Sequence, residues 1–512
     1  MDVWNSRPLD VHRWSDYSEV NTFIGKLWDV FSTTYPSYNT VKRGPKPKSS
    51  TKNQFKVVVL DLYVCWLTDP DMCIGFHRNR NNYESVESRY NKLHIKPIII
   101  ELIDGMIELG WLEHLRGHYN HDYPSKNHTS RIKAAGDLLD AFVDANISID
   151  VFSEMPNQEC IILNGNHIEL DDLGKVVDSK IVREDYEDTP EIETMRSQLL
   201  AYNKLLHDCH IDIADLATPC ITRTIQTKEG PEFRRVRVNQ ASKFVRRIFS
   251  NSCWNEHGRF YGGFWQRVDE DTHSRIYIDH HDTIEVDFKA LHVNLIYAKY
   301  LNAPLPTGQD PYELDILFPF CADHESQRAC VKKLVLQAIN ASSLEKAYGA
   351  FRNESKAGSS DKRLTNKELG LLIDRFLWLR PELKPYLGTG MGLKLMYLDG
   401  QITAHIINHL TNQGIPLLTV HDSYIVKRQD YSALQQAMAL ASSWVTGHDL
   451  YRVQDLVSEE EGVPYDFYTD QLLEDTSVRS VPTSEVDTSE YLVPCSEYES
   501  RYKSWRNRYS AL

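Results

Sequence analysis

The chain has 512 residues, of which 41% are hydrophobic and 25% are charged, so it is expected to form several domains and is neither a small binding module nor a wholly disordered protein. No apolar run approaches the roughly 18 residues of a membrane span, and the N-terminus lacks a secretory signal pattern, which argues against a membrane protein and predicts a cytoplasmic location. The net charge of −15 does not exclude a nucleic-acid ligand, because residues 451–512 alone carry six Lys and Arg residues against thirteen Asp and Glu residues.

Residues 1–145 are predicted to form a winged-helix-like DNA-binding domain. Apolar spacing predicts helices over Val57–Leu67, Ser85–Leu93 and Ile98–Leu109, and strands over Trp111–Tyr119 and Thr129–Ala134. Three helices followed by a hairpin are typical of a winged helix, which places a helix in the major groove of duplex DNA. The basic side chains expected in the wing are Arg116, Lys126, Arg131 and Lys133.

The next two segments differ in charge. Residues 146–190 are acidic and irregular, which indicates a linker, and residues 191–256 are expected to form a helical, thumb-like region. After Glu232 this region has no carboxylate until Glu256, which is typical of a surface that contacts backbone phosphates. The basic residues of this stretch are Arg234, Arg235, Arg237, Lys243, Arg246 and Arg247.

Two aspartates each end an apolar, strand-like run. Asp287 follows Thr283–Val286 and precedes a helix, and Asp422 stands in a tight turn between two β-rich halves. Two carboxylates held together repel each other, and divalent ions relieve that repulsion. Two such ions clamp the attacking and leaving oxygens of a phosphoryl transfer. The pattern therefore indicates metal-dependent phosphoryl transfer.

Cationic and Gly-rich segments accompany these aspartates. Arg328 and Lys332 are spaced i and i+4 on one helical face, which suits a triphosphate, and Lys333 lies off that face. Upstream, Gly258-Arg259 is followed by an aromatic and Gln-containing loop and then by Arg275.

This order of motifs resembles the palm and fingers of family A DNA polymerases and of the related single-subunit phage-type RNA polymerases. The resemblance covers roughly residues 190–450 and implies an α+β right-hand polymerase, with an antiparallel palm sheet and helical fingers and thumb. The palm would span residues 257–455 with a fingers insertion at about 310–385, and residues 456–512 would form an acidic, partly ordered tail. Asp287 and Asp422 would be the catalytic aspartates and, with the carbonyl of Phe288, would hold two Mg²⁺ ions, with Mn²⁺ as the alternative.

The resemblance also implies the remaining roles. Arg328 and Lys332 would bind the triphosphate, Gly258 and Arg259 would contact the primer-template, and His421 would lie near the primer terminus. His292, five residues after Asp287, would crowd a ribose 2′-hydroxyl in the nucleotide site. Leu336 and Asn340 replace an aromatic residue and a tyrosine of the family, so the surface on which a base stacks is altered. Deoxynucleotides are therefore the expected substrates.

The resulting hypothesis is a template-directed DNA polymerase that binds DNA and nucleoside triphosphates. It would lack proofreading, because the N-terminal 180 residues hold no paired-carboxylate pattern of an exonuclease. Two alternatives stay open. One is a single-subunit RNA polymerase or primase, favoured by the His-Asp-Ser turn. The other is a winged-helix replication initiator or regulator with a degenerate palm, favoured by Leu336 and Asn340.

Overall fold

The computed structural model describes residues 5–509 except 40–49, 86, 121–126, 155–157, 171–175, 228–229, 239, 241, 306–309, 357, 452–464, 467–470 and 473–492. It is a mixed α+β structure whose strand pairs are mostly antiparallel. Of the helices in these residues, none combines the length and the apolar character needed to cross a bilayer.

The N-terminal part folds around its own apolar core. Its helices are α1 (Ser18–Thr34), α2 (Thr51–Thr68), α3 (Ile98–Glu108) and α4 (Gly136–Ala145). Its strands are β1 (Ser6–Pro8), β2 (Arg13–Trp14), β3 (Cys73–Phe76), β4 (Leu112–Leu115) and β5 (Ser130–Ala134), and β2 pairs with β6 (Ser153–Glu154). The main sheet has the order β1-β3-β5-β4. Helix α2 is buried along most of its length and forms the centre of this core.

Two of the three helices that the sequence predicts in this part are present, as α2 and α3, and so is the hairpin of β4 and β5. The helix expected over Ser85–Leu93 is not formed, since the described residues of that range are turns. Asn91 explains the difference: its side chain bonds the backbone of Glu84, Ser85 and Ile95, and these bonds replace helical ones. Helix α3, which precedes the hairpin, carries acidic residues and no basic one, which suits a DNA groove poorly.

The acidic segment after residue 146 is not an unstructured linker. It contains β7 (Ile161–Leu170) and β8 (Val176–Arg183), which join β12 (Val245–Ser250) and β13 (Cys253–Gly262) in a sheet of order β13-β12-β7-β8. Strands β7 and β12 are parallel.

The expected helical thumb over residues 191–256 is only partly helical. Helix α5 (Pro190–Asp208) is followed by β9 (Ile211–Ile213) and by the hairpin of β10 (Cys220–Thr227) and β11 (Gly230–Arg237). The run Cys220–Thr227 is rich in β-branched residues, which pack better on a pleated strand than on a helix. Most of the basic stretch therefore lies in β structure.

A five-stranded antiparallel sheet forms the centre of the second core. It has the order β16-β17-β15-β14-β9 and includes β14 (Ile276–Ile278), β15 (His281–Asp287), β16 (Leu417–Val420) and β17 (Ser423–Lys427). Helix α6 (Glu270–His273) precedes β14, and α7 (Leu291–Leu295) follows β15 and continues into a π-helical turn over Ile296–Tyr300.

Helices cover this sheet and extend from it. They are α8 (His324–Asn340), α9 (Leu344–Glu354), α10 (Asn366–Leu379), α11 (Gly392–Asn412) and α12 (Tyr431–Thr446). The long α11 packs on β13 and α12 and also contacts β16, so it connects the two neighbouring sheets. Two short strands, β18 (Tyr465–Asp466) and β19 (Gln471–Leu472), pair with each other.

The chain ends in α13 (Ser496–Tyr509), which docks beside β9 and β14. Tyr498 is fully buried there, and Arg501 Nε lies 2.7 Å from the buried carboxylate of Asp212. The described end of the predicted tail is thus a helix that packs on the five-stranded sheet.

Candidate active site

The two predicted aspartates meet at one end of the five-stranded sheet. Residue Asp287 is the last of β15 and pairs in register with Ser423, while Asp422 belongs to the two-residue turn that joins β16 to β17. The Phe288 amide donates to the Asp422 carbonyl oxygen at 3.3 Å. His421, the other turn residue, has φ +58, a left-handed conformation that a tight hairpin turn accommodates. Residues separated by more than a hundred positions are therefore adjacent in space.

The surroundings of these carboxylates suit a divalent cation. Neither Asp287 nor Asp422 has a side-chain hydrogen bond or an ion pair among the residues that the structure describes. Within the same residues, no group of three or more His, Cys, Asp or Glu side chains could hold a metal ion. Magnesium is usually held by only one or two carboxylates together with substrate phosphates. Carboxylate and carbonyl oxygens are the ligands that magnesium takes, so Asp287, Asp422 and the Phe288 carbonyl could together hold such an ion.

A cavity of about 540 Å³ opens beside the aspartates. It brings together residues that the sequence placed in four separate motifs, and its wall is shared by β15, α7, α8 and α11. Predicted site residues in this wall are Arg259, Asp287, Phe288, His292, Arg328, Lys332, Leu336, Asn340 and Asp422. Asp310, Tyr312 and Met396 also line it and were not predicted. The volume lies within the ~300–1,000 Å³ of small-ligand sites.

One wall of the cavity is cationic. Arg328 on α8 is bound by Asp310, with its Nε 2.8 Å from Asp310 Oδ2. Lys332, one turn later, is exposed and has no ion-pair partner in the described part of the chain. Lys333 donates to Ser355 Oγ at 2.6 Å, which places it off the cavity face as predicted. This wall therefore has one exposed ammonium group and one guanidinium group held by a carboxylate.

A buried ion pair fixes Arg259. Its Nε lies 2.5 Å from Asp399 Oδ2 on α11, and Asp399 is fully buried. Burial raises the pKa of Asp399 to about 6, although the charge of Arg259 opposes this shift. Sequence reasoning missed Asp399, because the single acidic residue of α11 has no recognisable motif around it.

Arg259 also holds His292. Its Nη2 lies 3.2 Å from His292 Nε2, and since a guanidinium only donates, Nε2 accepts and the imidazole is neutral. Burial, followed by the charge of Arg259, lowers the pKa of His292 to about 4. His292 is only 9% exposed and lines the cavity wall.

Glycines permit the close packing that brings Arg259 to this position. A Cβ on Gly400 of α11 would lie 2.2 Å from the Gly258 carbonyl oxygen, so the helix can cross β13 here only if residue 400 is glycine. Gly258 itself has φ +67, at an irregular point of β13. The buried Arg247 donates from Nε to the Gly258 carbonyl at 2.8 Å and so fixes the same point.

The aromatic and Gln-containing loop after Arg259 supports the turn with the second aspartate. Trp265 Nε1 and Gln266 Nε2 both donate to the Thr419 carbonyl, at 3.1 and 2.8 Å. Thr419 lies on β16 two residues before His421, so this loop holds the strand that leads into the turn.

A second polar network lies beneath the aspartates. Glu285 on β15 accepts from the Ser423 hydroxyl, and its other oxygen lies 2.9 Å from His273 Nδ1. His273 Nε2 donates to the Trp265 carbonyl at 3.0 Å. Burial lowers the pKa of His273, but the hydrogen bond and charge of Glu285, together with the hydrogen bond to the Trp265 carbonyl, outweigh burial and raise the pKa above its ordinary value. Sequence reasoning missed both Glu285 and His273.

The predicted basic residues fall into different environments. Lys243 is buried and donates to the carbonyls of His207 and Cys209, and Arg247 is buried as described above, so neither offers its charge to a ligand. Arg237 is ion-paired with Asp69 of the N-terminal part. Arg246 is half-buried over Phe244. The side chains of Arg234, Arg235 and Lys126 lie outside the described residues.

The basic residues expected in the wing are also dispersed. Arg131 bonds Thr129, whereas Lys133 lies 3.7 Å from Glu113. Arg116 is exposed near the end of β4. These side chains do not form one cationic surface.

Comparisons of this chain with protein-family models, with curated proteins and with solved structures found no match.

Proposed function

We propose that this protein is a nucleotidyltransferase that extends the 3′ end of a nucleic acid and has the right-hand architecture of a polymerase. The observation that carries the proposal is the shared cavity, which is lined by Arg328 and Lys332 of α8 and by two aspartates that have no ion pair within the described residues. Polymer extension requires both a site for two divalent ions and a site for a triphosphate. This cavity has residues of both kinds.

The chain's own residues would act by binding and positioning. Lys332 and Arg328 would offset the charge of the triphosphate, and Arg259, held by Asp399, would fix the end of the strand next to it. The His273–Glu285–Ser423 network would hold β15 and β17 in register, so that the separation between Asp287 and Asp422 stays constant. Magnesium bound there would lower the pKa of the attacking hydroxyl and stabilise charge on the leaving pyrophosphate.

Primer extension with matched variants tests this proposal. Asp287→Asn and Asp422→Asn should each lower the extension rate at least about a hundredfold, because each removes a carboxylate that only the reacting complex uses. Asp282→Asn is the matched control, since Asp282 lies on the same strand but pairs with Arg428 away from the cavity. All three variants should keep the duplex affinity of the unmodified protein. Normal extension by either active-site variant would refute the proposal.

A ribonucleotide-using polymerase or primase is the second candidate. It is supported by the His421-Asp422-Ser423 sequence at the turn between β16 and β17, since this triplet is similar to that of the phage-type RNA polymerases. Parallel reactions with deoxynucleotides and with ribonucleotides, each with and without template, separate the two candidates. The initiator hypothesis is less well supported, because α3 is acidic and the wing cations are dispersed.

A further inference from the structure

A further cavity of about 420 Å³ lies in the N-terminal part and is called the N-terminal cavity here. It is lined by residues of β1, β3 and β5, by the loops that follow β1 and β3, and by Arg183 of β8. Among the described residues, its wall has none in common with the wall of the cavity at the aspartates. The volume lies within the ~300–1,000 Å³ of small-ligand sites, so a small molecule can bind here.

Apolar and aromatic side chains form much of this wall. Leu9 and Val11 supply aliphatic surface, and Tyr83 and Tyr90 supply two aromatic rings. Tyr90 is buried, and its hydroxyl donates to the Glu184 carbonyl at 2.9 Å, which fixes the ring. Tyr83 is half-exposed, and its ring is paired with no other aromatic ring in the ranges that the structure describes. A ring in this situation is a surface on which a planar ligand can stack.

His12 adds a polar atom to the cavity wall. Its Nδ1 is buried and has no hydrogen-bond partner within the described ranges of the chain. Burial lowers the pKa of His12 to about 4, and the charge of Asp10 only partly opposes this shift, so the imidazole is neutral at pH 7. A neutral imidazole nitrogen donates or accepts according to its tautomer, so it can pair with either kind of group on the edge of a nucleobase. A ligand that forms this bond relieves the cost of the buried, unsatisfied nitrogen.

The charges in the wall favour an uncharged ligand. Arg7 donates to the buried carboxylate of Asp61 from both Nη atoms, at 2.7 and 2.6 Å. Arg183 Nη1 lies 3.2 Å from Glu84 Oε1. The third arginine of the wall, Arg131, donates to a backbone carbonyl at 3.0 Å. A phosphate would have to displace a carboxylate from Arg7 or Arg183, whereas an uncharged ring leaves both ion pairs intact.

We propose that the N-terminal cavity binds a nucleobase, which stacks on Tyr83 and forms a hydrogen bond with His12. Stacking accepts every base because each has a π face, and the bond to His12 favours bases that present the matching group. The base belongs either to a free nucleoside or to a nucleotide of a single strand, since both present the same ring. The proposal does not depend on the proposed function, because it concerns a separate cavity and requires no catalysis.

Calorimetric titration of the whole chain with adenosine, guanosine, cytidine and uridine tests the proposal. Tyr83→Leu removes the ring but keeps an apolar side chain, and it should raise the Kd of the bound nucleoside about fivefold or more. Tyr83→Phe is the matched variant: it keeps the ring and loses only the hydroxyl that donates to the His77 carbonyl, so its Kd should stay within about twofold. His12→Leu should raise the Kd severalfold. Tyr119→Leu is the control, because Tyr119 is 80% exposed and lies outside this cavity.

The same titration with a trinucleotide distinguishes the two sources of the base. A trinucleotide that binds about tenfold or more tightly than the nucleoside, and still depends on Tyr83, identifies a strand as the ligand, and any weaker affinity identifies the free nucleoside. No binding of any of the four nucleosides at about 1 mM overturns the proposal. Equal Kd values for Tyr83→Leu and the unmodified chain, or equal losses in Tyr83→Leu and Tyr83→Phe, also overturn it. If Tyr83→Leu does not fold, an unchanged Kd in His12→Leu has the same meaning.

Discussion

In the proposed complex Asp310 would compete with the nucleotide for Arg328, so its removal should tighten nucleotide binding. Arg328 Nε lies 2.8 Å from Asp310 Oδ2, with the two side chains 39% and 24% exposed. A triphosphate that takes this guanidinium must break a partly exposed ion pair, which contributes up to about 1 kcal/mol. Asp310→Asn keeps the Oδ1 atom that accepts from the Tyr312 amide at 2.7 Å, so the local turn should persist.

The expected result is a fall of about threefold to tenfold in the Kd for a magnesium nucleoside triphosphate, since 1 kcal/mol is about fivefold and the variant also removes a negative charge from the cavity. Isothermal titration calorimetry without a hydroxyl donor measures it, and the difference should shrink at high salt. Asp315→Asn is the matched control, because Asp315 forms the same kind of pair with Arg375 outside the cavity, with Nε and Oδ1 2.7 Å apart. A weaker affinity in Asp310→Asn would refute the competition and show that Asp310 assists binding.

Two further predictions concern the framework of the site. Gly400→Ala should lower the free energy of unfolding by about 1–3 kcal/mol in urea titrations, because the alanine Cβ would meet the Gly258 carbonyl. Gly349 is also in a helix but faces open space, so Gly349→Ala should not destabilise the protein. Since Glu285 raises the pKa of His273 above 6.5, their contribution to stability is complete below that pH and is lost as the pH rises through the raised pKa. In the unmodified protein the free energy of unfolding should therefore decrease as the pH rises from about pH 6 to about pH 8, and His273→Gln should abolish this decrease. A decrease that persists in the variant would contradict this assignment.

The parts of the site that the sequence predicted are those encoded locally. Asp287 and Asp422 each end a short apolar run, and Arg328 and Lys332 are one helical turn apart, so each motif can be recognised without knowledge of the fold. Their mutual proximity came from the family resemblance, and the register of β15 with β17 agrees with it.

The parts that the sequence did not predict depend on contacts between distant segments. Asp399 matters because α11 crosses β13 at Gly258, which no local pattern encodes. Strand β7 lies in the segment that the sequence predicts to be a linker. Acidic and Asn residues around it weaken the strand pattern, and its partner β12 lies far along the chain. The helix expected over Ser85–Leu93 does not form, and the reason is local: the side-chain amide of Asn91 donates to the backbone carbonyls of Glu84 and Ile95.

The docking of α13 has a consequence for the five-stranded sheet. Asp212 on β9 is only 2% exposed and its ion-pair partner is Arg501, so this carboxylate stays uncompensated until α13 packs against the sheet. The Cys495 amide donates to the Ala214 carbonyl at 2.8 Å, next to the same strand. A protein shortened before Cys495 would therefore leave this carboxylate without its guanidinium and would expose the surface that Tyr498 covers.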